Sequence, residues 1–234
     1  MERFFYLIKR LIPKSLFRLL QAPYHYCLAL LGAIIYRFPS RKLTVLAVTG
    51  TKGKTTVVEL ISAILIAEGK KTASASTIQF RLGEQLDSNL YKMTMPGRFF
   101  LQRFLRQAVS VGCTHAVIEI TSEGAKQFRH KLIALDGLVF TNLTPEHIES
   151  HGSFAAYKEA KLKIAGALAT SPKRPRYVVA NTDDEHGADF LNTEVEHQVP
   201  YSLSDLELHS EHKDGVSLVP VSYTHLTLPT IYSV

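Results

Sequence analysis

At 234 residues, with 46% hydrophobic and 21% charged side chains, the chain is long enough for one large domain and apolar enough to bury a core. Its formal charge of +6 suits an anionic partner, but nucleic acid, a membrane surface and a polyphosphate all qualify, so charge alone selects none. Two cysteines, Cys27 and Cys113, are too few and too far apart for a disulfide framework or a zinc site, which points to a reducing compartment.

Residues 1–42 come first and stand apart. Basic side chains at Lys9, Arg10, Lys14, Arg18, Arg37, Arg41 and Lys42 punctuate apolar stretches. The longest clean apolar run, residues 27–36, is well short of the ~20 residues a spanning helix needs. No small-residue cleavage site follows it, and Pro13, Pro23 and His25 interrupt the pattern, unlike a signal peptide. Two readings stay open: a pair of helices packed on the main domain, or a basic amphipathic anchor making peripheral contact with an anionic membrane.

From Leu43 the pattern changes. The continuously apolar, β-branched run Leu43–Val48 reads as a buried strand. A Gly/Thr/Lys turn follows, and then Val58, Ile61, Ile64 and Leu65 recur at helical spacing from Thr55 to Glu68, with Gly69 as the stop. Lys71–Thr77 reads as a second strand, and Ile78–Met95 alternates around Leu82-Gly83-Glu84 as a hairpin does. Phe99–Val111 is helical; Thr114–Ile120 and Leu138–Thr141 are buried strands. Ser153 caps a helix that runs to Ala169. Arg176–Ala180 is one more strand, closed by Asn181-Thr-Asp-Asp184. Strands alternating with helices predict an α/β fold, a doubly wound parallel sheet whose ligands sit at the carboxyl ends of the strands. Residues 43–220 form this domain, preceded by the short helical segment of residues 1–42. The α/β rhythm stops after it. Residues 221–234 read either as a terminal sequence foreign to the protein or as an edge strand turning at Pro229, and the domain is expected to be incomplete.

Four constellations carry chemistry. The turn Gly50-Thr51-Lys52-Gly53-Lys54-Thr55-Thr56 lies between a strand and a helix, where glycines let backbone N–H groups approach phosphate oxygens. Lys54 supplies a point charge and the Thr55 hydroxyl a Mg²⁺ ligand. A strict G-x-x-x-x-G-K-[ST] loop has glycine where this chain has Val48. Second, Glu119 emerges from a buried strand beside that loop and reads either as a ligand for Mg²⁺ or as an edge-exposed glutamate with no role. Third, polar residues cluster over Thr141–His151. His147 and His151 are four apart, but no third ligand of zinc type follows, so His147 near Mg-ATP is the better reading. Fourth, Lys161 is one of several lysines on its helix, and by itself a solvated one.

Taken together and in this order, these features resemble the Mur ligase superfamily. The landmarks are Val48–Thr56, Thr94-Met-Pro96, Glu119-Ile-Thr-Ser122, Phe140–His147, His151-Gly152, Tyr157-Lys-Glu-Ala-Lys161 and Asn181–Asp184. The resemblance, strongest to the tripeptide-synthetase branch, covers about Leu43 to Gly187. It implies an ATP-dependent, acyl-phosphate-forming amide ligase that adds an amino acid to a UDP-N-acetylmuramoyl peptide in peptidoglycan synthesis. Such an enzyme is cytoplasmic, acts as a monomer and binds no nucleic acid. Carried over by position, Gly50, Thr51, Lys52, Gly53, Lys54, Thr55, Thr56 and Asn142 hold ATP. Thr55, Glu119 and His147 serve Mg²⁺, with Lys161 added once carbamylated. Lys54, Lys161 and His147 are catalytic, and Thr94, Thr121, Gln127 and Arg129 contact the muramoyl substrate.

Departures qualify the resemblance. Glu146 stands where the family has Asp before the motif histidine, Met95 replaces a hydroxyl, and Glu123 replaces a histidine. Residues 1–42 replace the expected uridine-binding domain, and no amino-acid-selecting C-terminal domain follows, so the fragment alone is expected to be inactive. A folylpolyglutamate or cyanophycin synthetase type of ligase, and a membrane-associated phosphate-loop module built on residues 1–42, remain as alternatives.

Overall fold

The computed structural model describes residues 14–91, 93–146, 148–212 and 215–220. Its centre is an eight-stranded sheet in the order β4-β3-β2-β5-β1-β6-β7-β8. The strands are β1 (Thr44–Thr49), β2 (Thr72–Ala75), β3 (Gln79–Leu82), β4 (Gln85–Ser88), β5 (His115–Glu119), β6 (Gly137–Phe140), β7 (Tyr177–Asn181) and β8 (His197–Tyr201). The six from β2 to β8 across the middle run parallel, while β3 and β4 add an antiparallel hairpin at one edge. The doubly wound α/β expectation holds.

Strand alternation decides which helix covers which face. On one face Val48 and Val117 pack with Leu46, Val139 and, from α2 (Lys54–Ala67), Val57, Val58, Ile61 and Leu65. On the other, Val45, Ala47, Ala116, Ile118, Leu138 and Phe140 meet α3 (Arg98–Ser110), α6 (Phe154–Ala169) and α7 (Gly187–Leu191). Short helices α4 (Ser122–Lys126) and α5 (Ile148–His151) lie between them. The larger core is dense: Phe140 stacks on Phe190 at 4.0 Å between centroids, an overlap whose loss costs about 3–5 kcal/mol in a typical core. Phe80 of the edge hairpin packs on Phe100 and Phe104, which pins that hairpin to α3.

The chain winds outward from β1 in both directions, since β1 lies between β5 and β6. That reversal opens a crevice at the carboxyl ends of these three strands. The loops after β1, β5 and β6 start there.

The N-terminal segment differs from the sequence expectation in one respect. Helix α1 (Lys14–Ile35) continues through Pro23, where an interruption is expected. An internal proline costs about 3 kcal/mol, and packing offsets it: Ala29 and Ala33 are buried, and Gly32 lies against Phe99 and Gln102 of α3. At the other end, β9 (Leu206–His212) and β10 (Gly215–Pro220) form a separate antiparallel pair that the sequence reading left unassigned. His147 and the tail of residues 221–234 lie outside the described residues.

Candidate active site

The turn after β1 is shaped by two glycines. Gly50 has φ of +153°, and a Cβ there sits 1.9 Å from the Thr141 Oγ1, so no side chain fits. Gly53, with φ of +77°, caps α2. Val48, off the strict pattern, is fully buried in β1. The close approach thus falls two residues later than the pattern places it. The loop after β6 holds the turn in shape. Asn142 accepts from Thr51 N–H through its carbonyl and from Lys52 N–H through Oδ1, both at 2.8 Å. Asn142 Nδ2 and Thr141 Oγ1 both donate to the Lys52 carbonyl, at 3.1 and 2.8 Å. The Thr51 hydroxyl accepts from Thr144 N–H at 2.9 Å and meets the Tyr157 hydroxyl at 3.1 Å. With these contacts made, the first-turn N–H groups of α2, which no helix can satisfy internally, face the crevice end of the sheet.

Glu119 ends β5 with only 3% exposure. Its carboxylate accepts from Thr55 Oγ1 at 2.9 Å, and from Thr77 N–H and Oγ1, both at 3.0 Å. Lys54 Nζ lies 3.8 Å from it and donates to the Thr51 carbonyl at 2.9 Å. A buried carboxylate beside a threonine hydroxyl is a hard-oxygen donor pair. Among the described residues no cluster of three acidic, histidine or cysteine side chains adds to it.

Lys161 is 1% exposed, in the middle of α6. Its Nζ donates to the Gly50 carbonyl at 2.5 Å and lies 5.0 Å from the Tyr157 ring centroid. Burial, reinforced by the Lys54 charge and only partly offset by Glu119 and Glu146, lowers its pKa to about 7. Burial lowers that of Lys54 too, against the pull of Glu119 and Glu146. The bland reading of Lys161 as a solvated lysine is therefore overturned: the helix turns it inward.

A cleft of about 440 Å³ continues from Gly50, Thr51, Lys54 and Lys161 to a second group of side chains. These are Thr94, Thr121, Gln127 and Arg129, with Glu123 and His151 beside them. Arg129 donates to Gln127 Oε1 through Nη2 at 2.7 Å and through Nη1 to the Met95 carbonyl. Gln127 Nε2 in turn donates to Glu123 Oε1 at 2.6 Å. The Thr121 hydroxyl caps α4, accepting from Gly124 N–H at 3.1 Å. Met95 is buried under Gly124, where a Cβ lies 2.2 Å from its sulfur.

The structure thus joins eight expected residues in one cleft: four from the loop and α6, and four from the substrate side. Thr55 and Glu119 adjoin it through Lys54. Lys52 and Thr56 point outward, and Lys52 pairs with Glu146 at 3.3 Å. Sequence reasoning missed Thr77, whose hydroxyl meets Thr94 Oγ1 at 2.8 Å and so links the Glu119 group to the substrate side. It also missed Arg98, which donates to the Gln127 carbonyl at 2.6 and 3.0 Å and meets His25 Nδ1 at 2.5 Å. Thr77 was detectable in principle, as a polar residue just past a strand's carboxyl end. The contacts of Arg98 have no local signal.

Known proteins resemble this chain in sequence and fold. A UDP-N-acetylmuramyl-tripeptide synthetase of Roseiflexus sp. (strain RS-1) is 36% identical over 173 residues, 70% of this chain and 34% of that protein. One from Treponema denticola is 33% identical over 78% of this chain and 35% of its own length. The chain therefore spans about a third of each relative. Among solved structures, a UDP-N-acetylmuramoyl-L-alanyl-D-glutamate–2,6-diaminopimelate ligase superposes with a TM-score of 0.66 at 26% identity. It covers 80% of this chain and 40% of that one. The family model of the Mur ligase middle domain matches residues 48–227. On that match, this chain belongs to the Mur ligase family.

Proposed function

We propose that this chain carries the nucleotide-binding and carboxylate-activating part of an ATP-dependent amide-bond ligase, one that adds an amino acid to a UDP-N-acetylmuramoyl peptide in peptidoglycan precursor synthesis. The names of its relatives support this reading. The observation that carries it is the single cleft in which a phosphate loop and a buried lysine face Thr94, Thr121, Gln127 and Arg129. The enzyme's place is the cytoplasm, where nucleotide substrates are made.

The residues divide the work. Gly50 to Thr56 form the loop that holds ATP, the N–H groups at the start of α2 facing its phosphates, and Lys54 places its charge at the transferred phosphoryl group. Asn142 holds this loop in its binding shape. Arg129, oriented by Gln127, is the cation for the muramoyl substrate, with Thr94 and Thr121 as hydroxyl partners. The hard-oxygen pair of Thr55 and Glu119 fits Mg²⁺, which typically takes one or two carboxylates and completes its shell with phosphate and water. Bound there, Mg²⁺ would supply positive charge for the phosphoryl oxygens; the substrate carboxylate attacks the γ-phosphorus of ATP, giving an acyl phosphate and releasing ADP. His147 is assigned to the same metal region by position alone.

Lys161 is read as a carbamate. With a pKa of about 7, its amine is substantially neutral at physiological pH. The nitrogen lone pair adds to the carbon of CO₂, one C=O electron pair moves to oxygen, and the ammonium proton leaves to solvent. A buried amine beside Lys54 becomes an anion, and the repulsion that its protonated form would meet gives way to attraction.

Phosphate release tests the proposal. The ligase reading requires that the full-length gene product release phosphate from ATP only when a muramoyl dipeptide nucleotide and an amino acid are both present. ATP hydrolysis indifferent to both overturns it.

A further inference from the structure

Helix α1 commits one face to the domain and leaves the other bare. Ala29 and Ala33 are buried on the inner face. The outer face presents Tyr24 at 60% exposure, Leu31 at 48%, and Ile34 and Ile35 at 54% each. Cys27 is exposed among them. Positions 24, 27, 31, 34 and 35 fall on one stripe of a helix at 3.6 residues per turn. Such a continuous apolar stripe on a surface marks a contact with something apolar.

Charge says what kind of contact. Immediately after the stripe, Arg37, Arg41 and Lys42 are all exposed. The first 42 residues hold eight basic side chains and one acidic, whereas the remainder of the chain holds nineteen and twenty. The entire positive excess of the protein is thus concentrated in the segment that bears the stripe. A second copy of this surface would set like charge against like charge. An anionic bilayer offers both what the stripe lacks and what the cations lack: an apolar boundary beneath negative headgroups.

We propose that the outer face of α1 docks on an anionic lipid bilayer, with Tyr24, Leu31, Ile34 and Ile35 at the acyl boundary and Arg37, Arg41 and Lys42 on lipid phosphates. Because the inner face is packed on α3, the helix lies along the surface and carries the cleft with it. This inference goes beyond the ligase reading and depends on none of its chemistry.

The test is flotation of the whole chain with vesicles of phosphatidylcholine alone or mixed with phosphatidylglycerol. We expect the protein to float with the mixed vesicles, to stay behind with phosphatidylcholine, and to be released as salt rises from about 50 to about 500 mM. The triple variant Leu31→Ser/Ile34→Ser/Ile35→Ser should lose at least about tenfold in partitioning. Arg41→Glu/Lys42→Glu should lose binding to the mixed vesicles. Labelling Cys27 with an environment-sensitive fluorophore gives a readout that needs no folded variant, since Cys113 is buried. Its emission should shift to the blue on mixed vesicles only. Three results overturn the proposal: no flotation with either vesicle, no emission shift at Cys27, or a stripe-dependent dimer in sedimentation that binds no lipid.

Discussion

Lys161 Nζ donates to the carbonyl of Gly50 at 2.5 Å, so the middle of α6 grips the first residue of the phosphate loop. The contact sets a side chain of low pKa against the backbone that must hold a polyanion. It gives Lys161 a structural duty besides its proposed chemistry.

Carbamylation of Lys161 is open to direct observation. With ¹³C-bicarbonate, a carbamate carbon signal should appear as pH rises through about 7 and should be absent in Lys161→Ala. Stability follows the same group. The folded pKa lies below the ordinary value near 10.5, so between these limits the unfolded chain binds the extra proton and stability rises with pH. Denaturant midpoints of Lys161→Met should rise less steeply than wild type between about pH 7 and 9.

Gly50→Ala should be among the most damaging small substitutions. Its Cβ meets Thr141 Oγ1 at 1.9 Å, and the backbone angle disfavours any side chain. We expect a loss of about 2–4 kcal/mol in urea unfolding, together with loss of ATP binding by calorimetry. Adding Thr141→Ala should restore part of the stability, because it removes the clashing oxygen.

Glu119→Gln separates metal from nucleotide. The amide cannot accept all the hydrogen bonds that Thr55 and Thr77 now donate, so stability should fall by about 1–3 kcal/mol. Mg²⁺ should then strengthen ATP binding at least about tenfold less than in wild type. An unchanged Mg²⁺ dependence of ATP affinity would remove Glu119 from the metal site.

Arg98 and His25 support the substrate side from behind. Arg98→Met should weaken binding of a UDP-muramoyl dipeptide by roughly an order of magnitude, since Gln127 and then Arg129 lose their brace. His25→Ala should have a smaller effect in the same direction. ATP affinity should stay at the wild-type value in both, and calorimetry with each ligand separates a local from a general defect.

His130 predicts behaviour in acid. Burial, with the charges of Lys131 and Lys163, lowers its pKa to about 4. The unfolded imidazole titrates near 6.5, so stability is full above that value and falls as pH drops toward 4, by at most about 1.4 kcal/mol per unit. His130→Gln should flatten this acid limb, as read from denaturant midpoints at pH 7, 6 and 5.

The parts of the fold visible in the sequence are those where burial imposes a pattern. Strands β1, β5 and β6 are short β-branched or apolar runs because both faces are covered, and each was placed to within a residue or two. Strand β8, His197–Tyr201, escaped because an edge strand with mostly exposed side chains carries no such run. Helix α4 has only five residues, too few to show a period. Pro23 misled because propensity is local, whereas the packing of Gly32 on α3 is not. The site divides the same way. Gly50, Lys54 and Glu119 announce themselves by sitting where strands end, but the meeting of residues 25, 98 and 127 exists only in three dimensions.

The hydroxyl pair Thr77 and Thr94 gives the cleft a thermodynamic consequence. Thr77 spends its donors on Glu119 and meets Thr94 at 2.8 Å. A cation that draws the Glu119 oxygens toward itself therefore loosens or re-aims the hydroxyl that Thr94 leans on. Binding at one end must then alter affinity at the other by an equal factor in both directions. The two ligands proposed for this cleft would then report on each other through that one shared hydrogen bond.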